Sequence, residues 1–435
     1  MKYHPLFSGT IWVLLLAGLV SVAHAQGPIQ DRYIVELRPG ANPAAVAAGH
    51  GLAPDFVYSS ALNGFAGFVP PGRVQALRND PRVMGVTSDR AVVAFGNPGT
   101  AATTPAQVVP AGVQRIGAAP GTLAFTGSGV GVAIVDTGID FNHADLTPLA
   151  SASYSAVTAT AQDDNGHGTH VGGIVAARNN GIDVVGVAPT ATLYAVKVLN
   201  STGSGSDSSV LAGLDWVAAN AATVSPPIRV VNMSFGRDKS ADDSVFHAAI
   251  QKLTSAGITA VAAAGNERTK EVKDMVPAGF PEVIAVASTT ALQGAASKTY
   301  GYIRADAASI FTTDGALNLV TGIGVAISAP GEDQENVNNG GLISSVGILS
   351  TKLGGGTTRL AGTSMAAPHV TGTVALLYQQ NPSLTPTDAK LKVMRGVLEA
   401  TAPYDSATSK GFVVPGYTFD GDREGVLYVP AALAP

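Results

Sequence analysis

From Gly129 onward the chain alternates short apolar segments with amphipathic ones, and this alternation restricts the fold more than any other feature. "VGVAIVD" (130–136), "TLYAVKVL" (192–199), "IRVVNMS" (228–234), "ITAVAAAG" (258–265) and "VIAVAS" (283–288) are almost continuously apolar. Strands read that way when both faces of their sheet are covered. Between them lie "THVGGIVAAR", "SVLAGLDWVAANA" and "SVFHAAIQKLTSAG", which have helical periodicity. The pattern predicts an α/β fold, a doubly wound and mostly parallel sheet. Right-handed crossovers then gather the strand ends, and any site they build, along one edge. A hydrophobic content of 46% against 13% charged residues supplies the core such a sheet needs. Two further helices are predicted in "TSMAAPHVTGTVALLYQQ" (363–380) and "TPTDAKLKVMRGVLEATA" (385–402). The glycine-rich stretch 288–361 is weakly patterned, and its role is not legible.

The first quarter of the chain reads differently. Residues 1–25 have a basic start at Lys2, an apolar run from Ile11 to Ala23 and an A-x-A site ending at Ala25, the layout of a signal peptide. The run is shorter than the roughly 20 residues that span a bilayer. Residues 26–95 predict a small α+β unit of ferredoxin-like order, β-α-β-β-α-β, with a turn at Asn63–Gly64 and a last strand in "RVMGVTSDRAVVAF" (82–95). Residues 96–106, "GNPGTAATTPA", have linker composition. The α/β domain occupies 107–435.

Several functions find no support. A net charge of −5 and no run of lysine and arginine give no reason to expect nucleic acid as a partner. The absence of cysteine excludes disulfides, thiolate nucleophiles and cysteine metal sites. "GSGVG" precedes a strand instead of following one, unlike a dinucleotide fingerprint, and no phosphate loop of the G-x-x-x-x-G-K-[ST] type occurs. After the signal no stretch reads as a membrane span, and a monomer is expected.

Three local signals carry chemistry. Asp136 ends the strand in "VAIVDTGID", His167 and His170 open a helix in "NGHGTHVGG", and Ser364 opens another in "GTSMAAPH". Taken singly, each has a structural reading: a turn former, packing or metal-sharing imidazoles, an N-cap serine. Taken together they supply an acid, a base and a nucleophile. A serine hydroxyl needs a paired base near neutral pH. Histidine suits that role, and a carboxylate behind it fixes its tautomer. The order Asp, His, Ser is one known for this triad. Ser364 is not in a G-x-S-x-G elbow, which argues against an α/β-hydrolase esterase. No H-E-x-x-H occurs to support zinc.

The three motifs, with "GVAPTATLYAVKVL", "VVNMSFG" and "VAAAGNE" between them, resemble the subtilisin family of serine endopeptidases over about 107–286 and 324–382. The resemblance implies that Asp136, His167 and Ser364 are the triad and that His170 is structural. It makes Asn266 an oxyanion donor beside the Ser364 amide. It implies substrate binding by strand addition, with Ser234, Phe235, Gly236, Ala263, Ala264 and Gly265 around the primary pocket and Gly205 in the second substrate strand. Asp207 falls where relatives often carry an aromatic lid, which points to a distal pocket favouring basic residues. "ARNNGIDVVGVAP" resembles the family's calcium loop, implying calcium held by the side chains of Gln107, Asp145 and Asn180 and the carbonyls of Arg178, Ile182 and Val184. A cis Val276–Pro277 bond is also implied. The signal layout implies that the protein is secreted, extracellular or retained in the periplasm or at the cell surface. The resemblance implies that it acts on polypeptides and is made as a zymogen whose propeptide, 26–95, inhibits it until self-cleavage within 95–106. The alternatives are a silent scaffold of this fold and an esterase or transacylase using the same triad.

Overall fold

The computed structural model describes residues 27–102, 106–298, 301–397 and 425–435. The signal segment and most of 396–402 therefore lie outside the described residues.

The N-terminal unit runs β1 (Pro28–Leu37), α1 (Pro43–Gly49), β2 (Phe56–Tyr58), β3 (Gly64–Phe68), α2 (Pro71–Arg78) and β4 (Val83–Ala94), the order expected. Val35, Leu37, Phe65, Leu77 and Val86 form a core of its own beneath the two helices. The β2–β3 connection is wider than a turn at Asn63–Gly64. Its first residues, Ser59–Ala61, are tied to the α/β domain, where the Asp215 carboxylate accepts from their three backbone N–H groups, at 2.6 Å from Ser60 and Ala61.

The rest runs β5 (Asn97–Ala102), α3 (Ala111–Arg115), β6 (Gly131–Asp136), β7 (Tyr154–Ser155), α4 (His167–Ala176), β8 (Thr192–Lys197), β9 (Ser204–Ser206), α5 (Asp207–Asn220), β10 (Ile228–Met233) and β11 (Phe235–Asp238). It continues with α6 (Ser244–Ser255), β12 (Thr259–Ala263), β13 (Met275–Val276), β14 (Ile284–Thr290), β15 (Ile327–Val337), β16 (Ile343–Thr351), β17 (Thr357–Ala361), α7 (Thr363–Gln380), α8 (Pro386–Arg395) and α9 (Val429–Ala432).

The main sheet has the order β5-β17-β16-β15-β14-β12-β10-β6-β8-β7. From β15 through β7 every pairing is parallel, and β16, β17 and β5 are added antiparallel. All six positions of β6 are buried, which explains its continuous apolar run. The fold is thus α/β with a mostly parallel sheet. The weakly patterned 288–361 contributes β15–β17, where backbone pairing does the work and side-chain periodicity is blurred.

Residues 96–106, linker-like in composition, contain β5. A strand at a sheet edge is held by backbone hydrogen bonds, so small polar residues do not forbid it. Val276–Pro277 is cis, as is Ser225–Pro226.

A second sheet joins the two units. β4 leaves the N-terminal core, where it pairs with β1, and its last residues insert between β9 and β11.

Candidate active site

β6 ends on Asp136, whose carboxylate is fully buried. Its Oδ1 accepts from the Thr137 N–H at 2.7 Å and pairs with His167 Nδ1 at 2.8 Å. His167 is the first residue of α4, so the helix start sets its backbone. That start is built by Asp163, buried four residues upstream. Asp163 accepts from the backbone N–H groups of Asn165, Gly166 and Thr169 and from the hydroxyls of Thr137 and Thr169. Burial would lower the His167 pKa, but the charge and hydrogen bond of Asp136, aided by Asp163, outweigh it and raise the pKa above the usual value.

One turn along, His170 is buried with Nε2 against the carbonyls of Ile348 and Thr358. Burial, with His167 nearby, pushes its pKa down to about 3. It stays neutral and holds α4 to β16 and β17. Two imidazoles in these settings do not share a metal.

Ser364 is the second residue of α7. Pro368 lies within that helix and has no N–H, so the Ser364 carbonyl lacks its usual partner four residues on. The Ser234 hydroxyl donates to it instead, at 3.0 Å. The Ser364 hydroxyl donates to the Ser234 carbonyl at 2.8 Å and accepts from the Phe95 N–H at 3.1 Å. The expected hydrogen bond from Ser364 to His167 is not formed in this state, and His167 Nε2 is buried with no partner among the described residues.

The chain's own β4 fills the cleft. Ala91, Val92 and Val93 pair with Ser206, Gly205 and Ser204, while Val93 and Ala94 pair with Gly236 and Phe235. Just past the strand, Phe95 donates its N–H to the Ser234 carbonyl at 3.2 Å. The Phe95 carbonyl accepts from Asn266 Nδ2 at 2.9 Å. Asn266 cannot be turned round, because its Oδ1 accepts from both the N–H and the hydroxyl of Thr363. A side chain at Gly362 would put Cβ 2.1 Å from the Phe95 oxygen. The Phe95 ring lies against Gly236, where a Cβ would meet it at 2.7 Å. The next residue, Gly96, sits so close to His167 that a Cβ there would come within 2.9 Å of Nε2.

Residues 127–419 match the Subtilase family. The chain is 38% identical to an alkaline protease of Shouchella clausii over 314 residues, covering 72% of this chain and 68% of that protein. It is 37% identical to alkaline elastase YaB of Bacillus sp. (strain YaB), over 72% of this chain and 68% of that one. Against subtilisin E of Bacillus subtilis (strain 168) it is 35% identical, over 79% of this chain and 76% of the relative. The chain belongs to the subtilase family. It is a subtilisin-like serine endopeptidase, and its substrates are polypeptides.

In this subtilase, Ala263, Ala264 and Gly265 are buried and run from the end of β12 to Asn266. Gly265 is fixed by the Thr363 hydroxyl, 3.2 Å from its N–H. The expectation for Asp207 is corrected. Its side chain is buried and forms a bidentate pair with Arg237 at 2.8 and 2.7 Å, and Arg237 also reaches Asp243 at 2.7 Å. Asp207 is therefore neutralised from within the protein and offers no free charge to a basic substrate residue. Arg237 is 1% exposed and joins the β9–α5 wall of the cleft to the β11 wall. Removing one partner of such a buried group typically costs about 3–5 kcal/mol.

The residues of the expected calcium loop also meet. The carbonyls of Arg178, Ile182 and Val184 converge on the Gln107 side-chain amide at 2.6, 3.2 and 3.0 Å. Asp145 Oδ2 accepts from the Val184 N–H at 3.1 Å, and its buried Oδ1 has no partner among the described residues. Burial pushes the Asp145 carboxyl up to about 7, against the pull of the Val184 N–H. Asn180 Oδ1 accepts from the Ile182 N–H at 3.1 Å. Three convergent carbonyls beside an orphaned carboxylate oxygen fit a hard cation, with the amide turned to present its oxygen.

Sequence reasoning missed Asp163, Asp89 and the Arg237 cluster. Asp163 had a signal, an aspartate just before a helix start. Asp89 and the Arg237–Asp207 pair had none, since Ser208 lies 119 residues from Asp89 and Asp207 lies 30 from Arg237.

The Asp136–His167 geometry predicts that kcat/KM rises with pH through a limb above the usual histidine range. It also predicts that Asp136→Asn loses about 10⁴ in kcat by releasing the wrong tautomer. Both are read from pH–rate profiles on a peptide substrate.

Proposed function

We propose that Asp136, His167 and Ser364 form the catalytic triad of a secreted zymogen whose first substrate is its own Phe95–Gly96 bond. The observation that carries this reading is the Phe95 carbonyl, held by Asn266 in the cleft with Ser364 and His167 beside it. The Ser364 hydroxyl turns from the Ser234 carbonyl toward His167 Nε2, loses its proton there, and attacks the Phe95 carbonyl carbon. The negative charge that develops on the Phe95 oxygen is met by Asn266 Nδ2, a donor type worth about a hundred- to a thousandfold in rate. Collapse breaks the Phe95–Gly96 bond, and the Gly96 amine takes the proton from Nε2. Water then hydrolyses the Phe95 ester by the same route, returning the proton to Ser364.

The same contacts make residues 27–95 an inhibitor after the cut. β4 still lies in the cleft, and Asp89, fully buried, accepts from the N–H and hydroxyl of Ser208 at 3.0 and 2.6 Å at the start of α5. A carboxylate is favoured at a helix N-terminus. Tyr58 adds a hydrogen bond from its hydroxyl to the Ser208 carbonyl at 3.1 Å. Release waits on loss of this unit. The signal-like 1–25 supports an extracellular place of action.

Gln107, Asp145 and Asn180, with the carbonyls of Arg178, Ile182 and Val184, are the residues that would hold calcium. The ion would tie the start of the catalytic domain to the loop after α4, a role that suits a protein without cysteine.

Expressed from Gln26, the chain is expected to lose residues 26–95 and to begin at Gly96. Ser364→Ala should stay whole, and Asn266→Ala should process about a hundredfold or more slower. Intact mass and N-terminal sequencing decide it, and a Ser364→Ala chain cut at the same bond would refute self-processing. Chelation of the Ser364→Ala chain is expected to lower its melting temperature, with recovery on added calcium and no such response in Asp145→Asn. An unchanged melting temperature would count against the calcium reading.

A further inference from the structure

Two turns beyond Ser364, on the same face of α7, the Thr371 hydroxyl makes a contact that its place in a helix does not require. A helical threonine commonly donates to the carbonyl four residues back, as Thr373 does to His369 at 2.9 Å. Thr371 instead donates across to β10, to Asn232 Oδ1 at 2.8 Å. Asn232 is flanked in the sheet by Ile134 of β6 and Val261 of β12, and a polar side chain buried there is costly unless it is bonded. Its Nδ2 donates to the Ser234 hydroxyl at 2.8 Å, and that hydroxyl donates in turn to the Ser364 carbonyl at 3.0 Å. Thr371, Asn232, Ser234 and Ser364 all have no exposed surface. The chain of bonds therefore starts and ends on α7. It spans Pro368, whose missing N–H leaves the Ser364 carbonyl free.

The direction of each bond is fixed. The Ser234 proton goes to the Ser364 carbonyl, so the Ser234 oxygen accepts from Nδ2, and Oδ1 is left for Thr371. Thr371 thus decides which way round the Asn232 amide sits. With the amide reversed, Oδ1 would compete for the Ser234 proton, and the Ser364 carbonyl would lose its partner.

We infer that Thr371 and Asn232 are positioning residues for the nucleophile, acting through Ser234. The inference rests on the triad reading of Asp136, His167 and Ser364. In the resting state Ser364 and Ser234 are joined twice, by the Ser364 hydroxyl on the Ser234 carbonyl and by the Ser234 hydroxyl on the Ser364 carbonyl. The first bond is given up when the Ser364 hydroxyl turns to His167. The second then holds the Ser364 backbone to the junction of β10 and β11 while the hydroxyl attacks. A nucleophile held within reach of its base and of the reacting carbon loses little rate to misplacement. Buried polar groups linked in this way act together, so a loss at Thr371 is felt at Ser364.

The test is the rate at which a fluorophosphonate labels Ser364 in the processed enzyme, well below each variant's melting temperature. Variants slow to process are cut to the same N-terminus by an added protease. Thr371→Val keeps the side-chain shape and removes the hydroxyl. It should label about tenfold more slowly, the size expected from one lost hydrogen bond. Thr371→Ser should restore the wild-type rate. In a Ser234→Ala background, Thr371→Val should slow labelling no further and should still lower the melting temperature, because Asn232 Oδ1 is left unpaired. A lowered melting temperature with unchanged labelling would make the contact structural only and overturn the inference. An equal slowing with and without the Ser234 hydroxyl would overturn it too. Should Thr371→Val not fold, Thr371→Ala removes the same hydroxyl with less bulk and is read the same way. These outcomes, on a wild type that labels normally, leave the triad reading intact. A folded, processed wild type that stays unlabelled at Ser364 would overturn that reading and this inference with it.

Discussion

The contact on which the rest of the site depends is the 2.8 Å pairing of Asp136 and His167. A carboxylate with no exposed surface is costly to leave unpaired. Here it is held by one backbone N–H and one imidazole, and each comes from an element whose position is fixed by packing. β6 lies inside the parallel sheet, and α4 starts where Asp163 collects the free N–H groups of its first turn. The imidazole is thereby oriented before any substrate arrives, with its second nitrogen turned toward the cleft. Ser364 is placed by a different device, a helix whose internal proline frees a carbonyl for Ser234 to satisfy.

In the function proposed above, substrate recognition and zymogen inhibition would share one physical basis, the completion of a sheet. β4 fills the gap between β9 and β11, and β5 covers the edge of β17. Both contacts use backbone groups that any polypeptide carries. Specific side chains are confined to a few points. The Phe95 ring meets Gly236, and the buried Arg237 cluster binds the two cleft walls to each other. A protease that reads backbone can cut many sequences, and its own N-terminal unit needs only a good strand and a buried anchor such as Asp89 to occupy the cleft first.

Much of this was legible in the sequence. The parallel sheet was visible because its strands are buried on both faces, so the apolar runs are unbroken. Asp136, His167, Ser364 and Asn266 were visible because each sits in a compact local motif at a strand or helix end. What escaped depends on partners far apart in the chain. β5 has linker composition because an edge strand can be held by backbone alone. Asp207 looked like a charge facing substrate, but Arg237, 30 residues away, neutralises it inside the fold. The start of the wide β2–β3 loop is tied down by Asp215, more than 150 residues later. The resting state of Ser364, bonded to Ser234 and Phe95, reflects the uncut chain in the cleft and has no local signature.

The central claim is that Ser364 is a nucleophile activated by His167. Its most direct test is reaction of the processed protein with a fluorophosphonate, followed by peptide mass mapping. The account predicts a single adduct on Ser364, absent from the His167→Ala protein cut to the same N-terminus by an added protease. A folded, processed protein that stays unlabelled at Ser364, or that labels equally well without His167, would contradict it.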